Sequence, residues 1–108
     1  MFRTTIALAL LITFVPALAR ADDTLTLTIR DHVFSPAEIK VKANTRVQLI
    51  VVNEDPTPEE FDSKALKVEK VIAGKSKSVV RFGPLKPGRY PFIGEYHEST
   101  AKGVVIAE

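Results

Sequence analysis

The sequence predicts an all-β fold, a two-sheet sandwich of about seven short strands. Three observations predict it. Apolar and polar residues alternate with period two along several stretches. Turn-forming Pro, Gly, Asn and Asp recur between those stretches. Beyond residue 21 no stretch repeats its apolar positions at helical spacing.

The elements follow in order. Thr24 to Ile29 alternates as a half-buried strand does, and Phe34-Ser35-Pro36 breaks it. Glu38 to Lys42 alternates again and ends at the turn Ala43-Asn44. Val47 to Val52 is denser, with Val47, Leu49 and Val51 on one face and Ile50 and Val52 on the other, as in a strand covered on both sides. Asn53 to Glu60 holds two prolines and four acids and reads as a loop. Lys67 to Ile72 and Ser76 to Phe82 are further strands. Pro84 to Gly88 is a turn, with Gly88 free to adopt positive φ. Arg89 to Ile93 follows, and Pro91 within it predicts an edge position or a bulge. A polar loop, Gly94 to Thr100, precedes the last strand, Gly103 to Ala107.

Residues 1–21 stand apart. Arg3 gives a positive start, Ile6 to Val15 is an apolar run too short to span a bilayer comfortably, and Ala17-Leu18-Ala19 and Ala19-Arg20-Ala21 both fit a small-x-small cleavage site. They read as a secretory signal peptide. Residues 22–108 then form one domain, exported and not itself membrane-spanning after cleavage. Loss of Arg3 and Arg20 leaves 13 basic residues against the 13 acidic ones. No basic patch points to nucleic acid. The processed chain has no Cys and no Met, so a single core must hold it without disulfides.

Enzymatic chemistry finds little support. Thiol catalysis has no Cys, no Ser lies in a nucleophile elbow, and no glycine-rich phosphate loop occurs. Glu59 and Glu60 are adjacent, so in an extended chain they point to opposite faces. Metal-type ligands, by contrast, gather in two loops: Glu54, Asp55, Glu59 and Glu60 in one, with Asp62 just beyond it, and Glu95, His97 and Glu98 in the other. His32 and Glu69 lie elsewhere. Oxygen donors with one or two imidazoles suit iron, manganese, zinc or oxidised copper, and reduced copper is disfavoured without sulfur. Acidic loops are also ordinary solvated surface. His32, two residues from Phe34, would share its strand face as a packed side chain.

The order of motifs adds a resemblance. Phe34 to Thr45, Val47-Gln48-Leu49 through Asn53-Glu54-Asp55, Pro58-Glu59-Glu60-Phe61 and Leu85 to Phe92 together resemble the EfeO-type cupredoxin-like domain, over nearly all of residues 24–107. The resemblance implies a Greek-key sandwich with a metal site at one end. In blue-copper relatives that site uses His, Cys, His and a weak Met. Matched to this chain, the first His falls at Glu59, the Cys at Gly94, the second His at His97 and the Met near Ala101. Only His97 remains, so no type 1 copper centre is expected. Glu59 and His97 become the leading candidate ligands, Glu60, Glu95 and Glu98 supporting ones, and Glu69 and His32 weaker ones. The resemblance further implies a periplasmic protein of an iron-permease uptake system, which binds ferrous iron or assists its oxidation for the membrane permease and works beside other periplasmic components. A metal-free interaction module and a copper(II) protein with oxygen and nitrogen ligands are the alternatives.

Overall fold

The structure, a computed structural model, describes residues 22–108. The signal-peptide reading of residues 1–21 lies outside them. The described residues form an all-β sandwich of nine strands in two sheets. In chain order they are β1 (Asp22–Arg30), β2 (Val33–Ser35), β3 (Glu38–Val41), β4 (Arg46–Asn53), β5 (Glu59–Ser63), β6 (Val68–Ile72), β7 (Ser76–Phe82), β8 (Gly88–Gly94) and β9 (Lys102–Ala107). A single 3-10 turn, η1 (Glu95–His97), links β8 to β9. One sheet runs β2-β1-β4-β7 and the other β3-β9-β8-β5-β6. β1 pairs with β4, and β3 with β9, in parallel; the remaining pairs are antiparallel.

Period-two alternation builds the core. β4 lies between β1 and β7 and buries Val47, Leu49 and Val51, while its other face is half-covered. Leu27 and Ile29 from β1, Val80 and Phe82 from β7, and Phe92 and Val105 from the opposite sheet close over them. At one end of the sandwich three aromatic rings meet. Phe34 of the first sheet packs edge-on against Phe61 and Phe92 of the second, at centroid distances of 6.2 and 5.2 Å, and Phe61 and Phe92 stack at 4.9 Å. Such pairs add to the stabilisation from burial alone.

Four local expectations change. The chain does not stop at Phe34: β1 and β2 form a hairpin with Arg30 opposite Val33. Asp31 and His32 are its two-residue turn, both with positive φ (51° and 57°), as a turn matching the twist of the strands requires. His32 therefore shares no strand face with Phe34. The acidic loop is shorter than the sequence suggests, because Glu59 and Glu60 already belong to β5. The loop from Gly94 contains η1. Pro91 is not on an edge strand, since β8 lies between β9 and β5. Its pairing with β5 covers only Gly94 and Ile93, so at Pro91 that flank carries no ladder and the missing N–H costs nothing there.

Candidate metal centre

Three connections crowd one end of the sandwich. They are the Asp31-His32 turn, the segment before β5, and η1 with the residues up to β9. Asn53, the last residue of β4, organises the second. Its side chain is buried, and its Nδ2 donates to the carbonyls of Thr57 (2.9 Å), Ile72 (3.2 Å) and Ala73 (3.3 Å). Its Oδ1 accepts from the Asp55 N–H at 3.0 Å. Asp55 in turn accepts from the N–H groups of Asp31 (2.8 Å) and His32 (3.0 Å) and so caps the β1–β2 turn. These bonds, that from His32 foremost, hold the Asp55 carboxyl below its ordinary value. Asp55 is thus committed to backbone donors.

Glu59 opens β5 facing inward and is only 1% exposed. Its carboxylate accepts three hydrogen bonds. Oε1 takes the N–H groups of Glu60 (3.0 Å) and Tyr96 (2.9 Å), and His97 Nδ1–H donates to Oε2 at 2.5 Å. The side chain of His97 is 26% exposed, and its ring stacks on that of His32 with centroids 3.4 Å apart and planes 10° from parallel. The structure thus brings together Glu59, His97 and His32 from three separate parts of the chain.

A type 1 copper centre does not fit this end. Gly94 and Ala101 stand at the positions implied for Cys and Met, and the chain holds no cysteine. A Cβ built on Gly94 would lie 2.6 Å from the Ala101 Cβ and 2.7 Å from the Glu59 Cδ, so the Glu59 carboxylate already fills the space a thiolate would need.

The other candidates face the opposite way. Alternation along β5 puts Glu60 and Asp62 on the outer face of the sheet, as the adjacency of Glu59 and Glu60 requires. Asp62 lies directly across from Glu69 of β6. Glu95 of η1 joins them, and Glu60, Asp62, Glu69 and Glu95 offer oxygens within 4.8 Å of one another. Like charges directly opposite on a sheet repel. The result shows at Glu95. A hydrogen bond with Glu60, then the Glu60 charge and contact with Asp62, push its carboxyl up to about 7. The Tyr96 hydroxyl is also raised, by burial first and then by the charge of Glu60. Glu98 is exposed and lies outside both groups. Sequence reasoning set Asp62 just beyond the acidic loop, without Glu69 as its partner, and gave Asn53 no role. Extending strand alternation back to Glu59 and pairing that strand with Lys67 to Ile72 would have found the pairing.

The cupredoxin-like domain family matches residues 3–107. The uncharacterized protein RP394 of Rickettsia prowazekii (strain Madrid E) is 40% identical over 80 residues, covering 74% of this chain and 64% of that protein. This chain therefore spans slightly under two thirds of that relative. Among solved structures, the metal-binding domain of the Streptococcus pneumoniae Cu(I)-exporting P-type ATPase CopA, with Cu(I), aligns at a TM-score of 0.73 and 17% identity, over 84% of this chain and 90% of that one. Auracyanin A, a blue copper protein from Chloroflexus aurantiacus, aligns at 0.68 and 14%, over 81% and 99%. At such identities the likeness is one of fold. Sequence and architecture agree that this chain belongs to the cupredoxin-like domain family, as a member without the cysteine of a type 1 copper site.

Proposed function

We propose that the protein is an exported cation-binding member of the family that handles iron in the periplasm for a membrane permease. The observation that carries the binding reading is the group of four carboxylates, Glu60, Asp62, Glu69 and Glu95, gathered on β5, β6 and η1 within 4.8 Å of one another. An all-oxygen donor set suits hard cations such as iron and gives no advantage to reduced copper. Repulsion among the carboxylates opposes folding unless a proton or a cation sits between them. The iron and permease parts rest on the motif order of the sequence, which resembles EfeO-type domains. In this reading the protein acts as a carrier.

Calorimetric titration of the processed protein with Fe²⁺ under anaerobic conditions tests this. One site is expected. Glu95→Gln, and Glu60→Gln with Asp62→Asn, should each weaken binding at least roughly tenfold, or about 1.4 kcal/mol. Lys77→Ala, on an exposed position of β7, should leave it unchanged. A preference for Cu²⁺ with no binding of iron would favour the copper(II) alternative. No binding at micromolar metal would leave the metal-free interaction module. One observation favours that second reading. Every buried side-chain polar atom among the described residues already has a protein partner.

A further inference from the structure

We infer that Glu59 and His97 form a clasp at one end of the sandwich, tying β5 to η1. In it Glu59 is a positioning residue for η1 and not a ligand.

Three features of the geometry carry this. First, the carboxylate is committed to protein donors at three of its roughly four acceptor positions. Three donors already point at its two oxygens, and the side chain is 1% exposed. Second, the partners are bonded directly to each other. An ion bound by both at the usual distance of about 2.1 Å would hold Oε2 and Nδ1 about 3.0–3.4 Å apart. They are 2.5 Å apart. Third, two of the three bonds go to η1, through the Tyr96 N–H and the His97 ring. The residue just before them is Glu95, whose carboxyl reaches Glu60 and Asp62 on the far face of the sheet.

The clasp is a mechanical tie. It ties the start of β5 to the connection between β8 and β9. The His97 ring carries the tie across to the other sheet, because it stacks on His32 in a turn that Asp55 caps. From β5 the Glu59 side chain reaches both η1 donors, in the space that Gly94 and Ala101 leave it.

Glutamine keeps this geometry. Its carbonyl oxygen accepts from Tyr96, and its amide donates to the Nδ1 of neutral His97. Alanine leaves the Tyr96 N–H without a partner. A metal ligand would behave differently, since an amide is a far poorer donor to a cation than a carboxylate.

Hydrogen exchange of the Tyr96 backbone amide, followed by NMR in the processed protein with EDTA present, tests the clasp without any metal. In the parent, EDTA should leave the exchange rate unchanged. Glu59→Gln should stay within about threefold of the parent, and Glu59→Ala should exchange at least tenfold faster. His97→Phe keeps a ring on His32 but removes the Oε2 bond, so it should give a severalfold rise. That variant and Glu59→Gln decide the matter should Glu59→Ala not fold. Faster exchange in the parent on adding EDTA, or loss of protection in Glu59→Gln as large as in Glu59→Ala, would overturn the inference. That the clasp serves Glu95 rests on the cation reading above. There, Glu59→Gln should bind Fe²⁺ within about threefold of the parent, while Glu59→Ala binds at least tenfold more weakly. If the parent binds no iron, the cation reading falls and the exchange rates still decide the clasp.

Discussion

At the residue scale, the two acids Asp55 and Glu59 show how burial reassigns a carboxylate. Both lie in what the sequence presents as a solvated acidic loop, and both are buried. Neither is left as a free charge, because each accepts backbone N–H groups. For Asp55 the consequence is a pH dependence. Its folded carboxyl titrates below the ordinary value of 3.8. Its contribution to stability is therefore complete above that value and is lost as pH falls through the lower, folded one. Asp55→Asn replaces one accepting oxygen with a donor facing a backbone N–H, at a cost of about 1–3 kcal/mol. Urea unfolding should show that difference from the parent at pH 7, narrowing as the pH falls below the ordinary carboxyl value of 3.8. A difference that stays constant across that range would mean the carboxylate charge is not what holds the turn.

At the element scale, β5 and β8 matter most. β5 sends Glu59, Phe61 and Ser63 inward and Glu60 and Asp62 outward, so one strand supplies the clasp on one face and the carboxylate group on the other. Ser63 closes its far end by donating to the Pro91 carbonyl at 2.7 Å, across the flank where the β5–β8 ladder has ended. Gly94 ends β8 with ordinary extended φ (−92°), so space and not backbone conformation dictates its identity. Gly94→Ala pushes a methyl into Ala101 and the Glu59 carboxylate. Overpacking of this kind costs about 1–3 kcal/mol. Thermal denaturation should show a lowered Tm. An unchanged Tm would mean that the carboxylate can move aside and that the space is not filled as described.

At the scale of the whole molecule, the described strands build the sandwich of a cupredoxin-like domain around an aromatic triad, in a chain without cysteine. Phe34, Phe61 and Phe92 join the two sheets by direct aromatic packing. Colour provides the global test. Loaded with Cu²⁺, the protein should show only weak ligand-field absorption, because an intense blue band requires a cysteine thiolate on the copper. Such a band from the pure protein would overturn the assignment of a thiolate-free member of the family. No helix among the described residues is long and apolar enough to cross a membrane.

The sequence by itself determined the sandwich, because strand alternation is local and each face can be read two residues at a time. It also excluded the thiolate, since a residue type that is absent from the chain can be placed nowhere. Thr24 to Ile29, Val47 to Val52 and Ser76 to Phe82 were legible as strands for that reason. Glu59 was less so. Two prolines and four acids hide the first residues of β5, and only the pairing of Glu59 with Ile72 and Glu60 with Val71 makes them strand. The tertiary structure alone decided which candidates meet. Register places Asp62 against Glu69, and chain reversal through the β1–β2 turn lays His32 on His97. Adjacency already set Glu59 and Glu60 on opposite faces; the tertiary structure gave Glu59 the Tyr96 N–H and the His97 ring, and Glu60 a group of like charges. Those contacts join residues far apart in the chain, and no local pattern encodes them.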